Sequence, residues 1–360
     1  MARRRSSRKK RGSGATFRVF LIFFLALLAG SAAAAWFVFL PAGPESETFV
    51  DIASGSSSTE IAKQLESAGI VRSRYAFDLV RLWKRGRLKA GEYRFDHPAA
   101  VAEVYARIAR GDVYTLSVTI PEGSNRFDIA TRIVQAGFLK VTREDFLTAT
   151  ISETPLIADI DPRARNLEGY LFPDTYRFPR KATSQQIIAT MVRRFRAVSS
   201  EIGLETMANL SPASRSTHDV VTLASLVERE TAVASERPLV ASVLTNRLAK
   251  KIPLMTDPAV IYGLQAEGQW RGAIYQSDLA DPKHDTLYNT YRHAGLPPGP
   301  IANPGAASLR AAMHPAATDY LYFVAAGADP QGKSRFAATL DEHNKNVASY
   351  RKSIKQAGGR

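Results

Sequence analysis

One carboxylate closes an apolar helical segment in the second half of the chain and is the candidate for acid catalysis. The segment reads Val220-Val-Thr-Leu-Ala-Ser-Leu-Val-Glu-Arg-Glu-Thr231, in which Glu228 follows the apolar run. A carboxyl group that is removed from water keeps its proton at neutral pH, as a general acid must. Because successive helical residues turn by about 100°, Glu230 lies about 200° from Glu228 and cannot act as a second carboxylate on the same face.

The alternative interpretation of Glu228 is an ordinary position on a helix surface, paired with Arg229 or Arg237. The loops that follow favour catalysis. Residues 253–305 are rich in proline, glycine, tyrosine and asparagine, and such loops suit sugars because amides bond to hydroxyl and acetamido groups and rings stack on sugar faces. A rigid structural loop would have a similar composition. The candidate substrate-binding residues are Asp257, Tyr262, Tyr288, Asn289, Thr290, Tyr291 and Asn303, and the candidate supporting residues are Glu230, Glu168 and Asp174.

The N-terminal segment predicts a membrane anchor. Val19–Leu40 is 22 residues long and carries no charge, which is enough to cross a bilayer core of roughly 30 Å. Eight basic residues and no acid precede it in residues 1–18, so we expect a cytoplasmic N-terminus and an external remainder of the chain. A cleaved signal peptide with its site near Ala32–Ala35 is the alternative, but the apolar run continues beyond that site, which favours an uncleaved anchor.

Composition argues against several other chemistries. The chain has no cysteine, so disulfide and thiol chemistry are excluded. Its six histidines show no metal-ligand spacing, and no P-loop or nucleophile elbow occurs, so we predict no metal and no cofactor. Nucleic-acid binding by the basic tail is the least favoured alternative, because the adjoining apolar segment already explains those charges by topology.

An internal repeat follows the predicted linker at residues 41–48. Val50-Asp-Ile-Ala-Ser-Gly-Ser56 recurs 68 residues later as Val118-Thr-Ile-Pro-Glu-Gly-Ser124. Each copy predicts a strand, a glycine turn and a capped helix, and this unit resembles half of a LysM-type glycan-binding module. The first copy is long enough to complete a β-α-α-β unit over about Phe49–Phe95. Whether that module binds glycan or only packs as a spacer stays open.

These patterns predict an α+β protein. We divide it into a basic cytoplasmic tail at 1–18, a transmembrane helix at 19–40, a linker at 41–48, a LysM-like module at 49–112 and a catalytic domain at 113–355, of which 113–160 contains the second half-repeat.

Six motifs follow one another along the chain: Leu167-Glu-Gly-Tyr-Leu-Phe-Pro-Asp-Thr-Tyr176, Ala224-Ser-Leu-Val-Glu-Arg-Glu-Thr231, Ala241-Ser-Val-Leu-Thr-Asn-Arg-Leu248, Thr256-Asp-Pro258, Tyr288-Asn-Thr-Tyr291 and Gly295-Leu-Pro-Pro-Gly-Pro-Ile-Ala-Asn-Pro-Gly305. In this order they resemble the endolytic murein transglycosylase (YceG-like) family, and the resemblance covers nearly the whole chain. Two departures from the family pattern are Met255, where glutamine is usual, and Ala259, which replaces a common threonine. These departures concern fine substrate contacts and leave the expected reaction unchanged.

The resemblance implies a lyase of the inner membrane with a periplasmic catalytic domain, in which Glu228 matches the catalytic glutamate. Such an enzyme cleaves nascent peptidoglycan strands between N-acetylmuramic acid and N-acetylglucosamine, leaves a 1,6-anhydro end and terminates strand elongation. Peptidoglycan synthases, the penicillin-binding proteins, are the implied partners. The alternative function is a non-catalytic membrane-anchored scaffold that binds peptidoglycan and recruits the synthesis machinery.

Overall fold

The chain forms two compact units that divide between Thr115 and Leu116, in a computed structural model that describes residues 13–204, 206, 216–329 and 332–358. Helices and strands occur in both units, as the α+β prediction requires. Of the predicted basic tail at 1–18, residues 1–12 lie outside the described part of the chain. The predicted domain boundaries are otherwise hypotheses, although the division at Thr115 lies close to the predicted boundary at residue 112.

The first unit begins with a long apolar helix. Its segment Phe17–Phe39 has a mean hydropathy of 2.3 and is not buried by the rest of the protein, so it is long and apolar enough to cross a membrane. The predicted linker after it is held by backbone hydrogen bonds, because Ala42 pairs with Ala99 in both directions. The elements of this unit are α1 (Ser13–Phe39), β1 (Thr48–Ile52), α2 (Ser58–Ser67), α3 (Arg74–Lys84), β2 (Gly91–Phe95) and α4 (Val101–Arg110).

The second unit is larger and mainly helical. Its elements are β3 (Thr115–Thr119), α5 (Arg126–Gln135), α6 (Arg143–Ser152), β4 (Thr175–Pro179), α7 (Ser184–Ile202), α8 (Thr217–Glu230), α9 (Arg237–Ala249), α10 (Asp257–Ala266), α11 (Gln276–Ala280), α12 (Ala306–Met313), β5 (Tyr322–Ala325), β6 (Ser334–Ala337) and α13 (Leu340–Gly358), with short 3-10 turns at Thr154–Ile157, Ala234–Glu236 and Pro282–His284.

The two sequence repeats fold alike at their start. In each copy a helix begins with a capping box, formed by Ser57 with Glu60 at α2 and by Asn125 with Asp128 at α5. The matching apolar residues Ile61 and Leu65 of α2 and Ile129 and Ile133 of α5 are buried. Strand β1 pairs antiparallel with β2 so that Val50 lies opposite Tyr93. The first copy therefore has the expected β-α-α-β order.

The second repeat is more complete than the sequence predicts. After α5 and α6 the chain returns as β4, which pairs with β3, so this copy also has a β-α-α-β order. Residues 153–174 separate α6 from β4, and they include most of the motif Leu167–Tyr176. This insertion hides the returning strand from a search at a constant spacing of 68 residues.

Helix α8 forms the centre of the second unit. Ser216 caps its first turn, and the apolar residues from Val220 to Val227 are fully buried. The helix packs against α9, α10 and α12. It ends at Glu230 because Thr231 adopts an extended backbone, so Glu228 and Glu230 both lie in its last turn. The negative end of the helix dipole disfavours a carboxylate at these positions.

We expect Gly169→Ala to destabilise the second unit by about 2–4 kcal/mol. Gly169 has a φ of +87°, and a Cβ there would lie 2.6 Å from Pro300 Cγ and 2.7 Å from Val221 Cγ1. Gly203 has a similar φ of +74° but open space around its Cβ position, so Gly203→Ala should cost only about 1 kcal/mol. Thermal unfolding of the full chain measures both, and equal shifts of the two midpoints would contradict the steric argument.

Candidate active site

The last turn of α8 carries two carboxyl groups with opposite surroundings. Glu228 is held in a closed network: its Oε1 accepts a hydrogen bond from Arg237 Nη2 at 2.9 Å, and its Oε2 accepts one from the Gly305 backbone N–H at 3.0 Å. Its side chain is only 5% exposed. Arg237, at the start of α9, also donates to Glu122 at 3.2 Å. The network thus joins α8, α9, the start of α12 and the turn after β3.

This geometry differs from the expected one for Glu228. The sequence predicts a desolvated carboxyl without a charged partner, whereas both oxygens of Glu228 accept hydrogen bonds, one of them from a guanidinium group. An arrangement of donors only suits a carboxylate. The surface interpretation pairs Glu228 with Arg237, but in the structure this pair is buried. Glu228 therefore links elements of the fold here.

Glu230 faces open space on the other side of α8. It lines two adjoining cavities of about 380 and 220 Å³, which also share Phe323. Among the described residues, no hydrogen bond or ion pair is made to either oxygen of its side chain. The pKa of Glu230 is raised to about 7, mainly by burial and also by the negative charge of Asp257, while Arg247 and Arg229 act in the opposite direction. Glu230 is thus a carboxyl that can exchange a proton near neutral pH.

Two of the predicted binding residues, Asp257 and Tyr291, lie close enough to Glu230 to act on its charge, and a third, Thr290, holds the adjoining loop. The hydroxyl of Tyr291 donates to Asp257 at 2.6 Å, and burial is the main cause that raises the pKa of that hydroxyl. Thr290 accepts a hydrogen bond from the Thr256 backbone N–H at 2.9 Å, which ties the loop after α11 to the start of α10. Glu230, expected from the sequence only as a supporting residue, lies where these loops meet.

Other residues of these cavities were missed by sequence reasoning. Arg247 donates to backbone carbonyls of Leu254 and Leu321 and so fixes both cavity walls. Phe323 belongs to β5, and His343 lies on α13. Arg247 stands within a motif quoted above, so that motif was the signal for it. Nothing in the local sequence around Phe323 or His343 indicates a site, because both come from distant elements.

Another predicted group forms a separate buried cluster. The Glu168 carboxylate accepts hydrogen bonds from the Arg126 backbone N–H and from the Asn303 side chain, and burial raises its pKa to about 7. Asn303 also donates to Ser124 O and accepts from Leu171 N, so its amide is engaged within the protein. These contacts hold together the start of α5, the Leu167–Tyr176 motif and the 295–305 loop.

The remaining predicted residues also have partners inside the protein. Tyr262 and Tyr288 pack edge to face, with ring centroids 4.9 Å apart, and line a cavity of about 170 Å³ that does not include Glu230. Asn289 is buried and donates to the backbone carbonyls of α11. Asp174 is exposed and pairs with Arg194 at 2.7 Å. Across the described residues, no group of three His, Asp or Glu side chains could hold a metal ion.

Comparison with known proteins gives a consistent family. The model of the YceG-like family matches residues 50–349. The chain is 35% identical to the endolytic murein transglycosylase of Bacillus subtilis (strain 168), over 86% of this chain and 87% of that protein. It is 29% identical to the protein of the same name from Streptococcus pneumoniae (strain R6), over 92% of this chain and 65% of that protein.

A solved structure gives the same result. The crystal structure of a YceG-like protein from Listeria monocytogenes is similar at a TM-score of 0.53 and 32% sequence identity, covering 84% of this chain and 99% of that chain.

The two carboxyl groups of the last turn should have opposite effects on stability. Glu230→Gln removes an acid that has no hydrogen-bond or ion-pair partner among the described residues and whose folded pKa of about 7 exceeds the usual 4.5. The unfolded chain releases this proton above about pH 4.5 and the folded chain only above about pH 7, so the penalty is absent below about pH 4.5, grows between the two values and is complete above about pH 7. We therefore expect Glu230→Gln to raise the thermal midpoint at pH 8 and to leave it unchanged at pH 4.5.

Glu228→Gln should lower the midpoint instead. It removes the nearer and more buried of the two carboxylates, Glu228 and Glu122, that compensate the buried Arg237 guanidinium, and we expect a cost of about 2–4 kcal/mol at pH 8. Thermal unfolding of both full-length variants and the parent measures the comparison. A stabilising Glu228→Gln, or a destabilising Glu230→Gln at pH 8, would contradict the geometry described above.

Proposed function

The chain belongs to the YceG-like family, and from that premise we propose that it cleaves peptidoglycan strands internally as a lytic transglycosylase, with Glu230 as its acid. It is accordingly an enzyme, a lyase. The observation that carries the choice of acid is the state of Glu230: an unpaired carboxyl at two cavities, with a pKa raised to about 7 by burial. Relatives at 35% and 29% identity are named endolytic murein transglycosylases, which supports the reaction.

One carboxyl is sufficient for this reaction because the attacking group belongs to the substrate. Glu230 donates its proton to the glycosidic oxygen between N-acetylmuramic acid and N-acetylglucosamine, and the bond from that oxygen to C1 breaks. The 2-acetamido group stabilises the positive charge that develops at C1. The C6 hydroxyl of the same ring then bonds to C1, and its proton returns to Glu230, which leaves a 1,6-anhydro end.

The neighbours of Glu230 have defined parts in this proposal. Asp257 favours the protonated acid before cleavage, because its negative charge raises the pKa of Glu230. Arg247 favours the carboxylate that forms afterwards, because its positive charge acts in the other direction. Phe323 offers an aromatic wall for a sugar face, and Met255, with its exposed side chain, borders the smaller cavity.

Glu228 is not chosen as the acid in this proposal. Its two oxygens already accept hydrogen bonds from Arg237 and Gly305, and its side chain is 5% exposed. A glycosidic oxygen could reach it only after this ion pair opened, and opening a buried pair costs several kcal/mol. We propose instead that Glu228 keeps the end of α8 in place so that Glu230 faces its cavities.

The cellular setting is part of the same proposal. The apolar helix α1 would anchor the chain in the inner membrane, with the N-terminus in the cytoplasm and the second unit in the periplasm, as its hydropathy and the basic residues before it support. The β-α-α-β order of the first unit supports a LysM-like module. Termination of nascent strands beside peptidoglycan synthases would follow from this position.

We expect Glu230→Gln to lower the rate of cleavage by about 10³-fold or more, because the amide has no proton to donate. The full-length chain is incubated with uncrosslinked nascent glycan strands, and mass spectrometry measures the new chain ends. The matched control is Glu228→Gln, assayed at a temperature where it remains folded; it should retain cleavage within about tenfold. An inactive Glu228→Gln beside an active Glu230→Gln would reverse the assignment.

The product distinguishes the reaction from its alternatives. Ends lighter by one water than reducing ends indicate the anhydro product. Reducing ends would indicate a hydrolase, which needs a second carboxylate to activate water, and Asp257 would be the nearest candidate. Binding of strands by the parent chain without any new ends would support the scaffold function instead.

The pH dependence tests the part of Asp257. Because Glu230 acts in its protonated form, we expect kcat/KM to fall above about pH 7. Asp257→Asn removes a charge that raises the pKa of Glu230, so the fall should begin at a lower pH in that variant. Asp174→Asn is the control, since Asp174 is exposed and pairs with Arg194. An unchanged alkaline limb in Asp257→Asn would show that Glu230 does not control the rate.

A further inference from the structure

Helix α3 has a large apolar surface that the protein leaves uncovered. Tyr75, Leu79, Leu82 and Trp83 are 68%, 53%, 63% and 78% exposed. Their spacing of four, three and one residues places them on one face of the helix. The opposite face, with Phe77 and its neighbours, is buried in the core of the first unit. We call the four exposed residues the α3 stripe.

The α3 stripe continues the surface of the long apolar helix. Near its C-terminal end α1 packs against α3, and the two helices border a groove of about 580 Å³. Val38 and Phe39 form one wall, and Leu79 and Trp83 form the other. The large apolar side chains of α1 itself are exposed along its length, so the surroundings that cover α1 reach the α3 stripe without interruption.

Basic residues follow the stripe directly. Lys84, the last residue of α3, and Arg85 and Arg87 after it are exposed, and the Lys84 ammonium lies 5.9 Å from the Trp83 ring centroid. Near the end of α1, Arg72 lies over the Trp36 ring at 5.8 Å. Aromatic rings beside cationic side chains are typical of the boundary between acyl chains and anionic headgroups.

We propose that the α3 stripe docks on an anionic lipid surface beside the end of α1, with its apolar side chains among the acyl chains and its basic residues at the headgroups. This inference rests on the proposed membrane anchoring of α1. Lipid is favoured over a second copy of the chain because the stripe is continuous with an apolar helix that itself requires lipid, and because cations border it. The first unit would therefore be held at the bilayer and not on a free tether.

Tryptophan fluorescence can test this arrangement in the full chain. Two variants keep one tryptophan each: Trp83 in Trp36→Phe/Trp270→Phe, and Trp36 in Trp83→Phe/Trp270→Phe. Each is placed, one chain per particle, in nanodiscs of anionic phospholipid with or without bromine on the acyl chains. We expect brominated lipid to lower the emission of both Trp83 and Trp36 by about twofold.

The two positions separate the docking from the anchor. Quenching of Trp36 without quenching of Trp83 would overturn the docking and leave the anchor intact. No quenching at either position would overturn both proposals. If Trp83 is quenched by brominated lipid with one chain per nanodisc but is protected from this quenching only when two chains are present, or if its emission changes only with two chains, a second copy covers the stripe. Either result would also overturn the lipid proposal.

Substitutions within the stripe provide the matched control. Leu79→Gln/Leu82→Gln in the Trp83 variant should abolish most of its quenching, and because both leucines are exposed the fold should be unaffected. Leu139→Gln changes an exposed leucine of the second unit and should leave the quenching unchanged. Equal quenching in both substituted chains would overturn the docking.

Discussion

The buried ion pair between Glu228 and Arg237 determines how the chain is arranged at the carboxyl end of α8. Four separate parts of the second unit meet there: α8 itself, the first residue of α9, the start of α12 at Gly305 and the turn after β3 at Glu122. A buried charge without its partner is costly, so each of these parts holds the others in register. Helix α8 can then end at Glu230 with a fixed direction.

Two carboxyl groups that lie two residues apart thus have opposite surroundings and different roles. The charge of Glu228 is compensated by Arg237, whereas Glu230 has no hydrogen-bond or ion-pair partner within the described part of the chain, so its ionisation is costly in the fold. The dipole of α8 adds to this difference by disfavouring negative charge at its carboxyl end. Glu230, whose charged form lacks compensation, therefore keeps a proton that it can donate. Active sites commonly contain such groups, which lower the stability of the fold and raise its reactivity.

Periodicity in the sequence predicts α8, the repeat and the angle between the two glutamates, since these depend on residues close together in the chain. It cannot tell which glutamate has a partner. Arg237 reaches Glu228 only because a 3-10 turn reverses the chain after α8, and the Gly305 amide arrives from 77 residues away. Contacts between distant parts of the chain also explain two other features that the sequence does not predict. An insertion displaces the returning strand of the second repeat, and Phe323 reaches the cavity from strand β5, nearly 100 residues after Glu230.

The glycine turns of the two repeats show how differently the copies are now constrained. A Cβ at Gly55 would meet nothing within 4 Å, so the turn of the first copy is free at its surface. The turn of the second copy is held on both sides: the Gly123 N–H donates to Asn303 O, and its carbonyl accepts from Arg229, which precedes the proposed acid Glu230. A larger residue at Gly55 would accordingly meet no described neighbour, and its only cost would be the strain of the positive φ. A change at Gly123 would instead reach Asn303 and Arg229, and through Arg229 the end of α8 that carries Glu230.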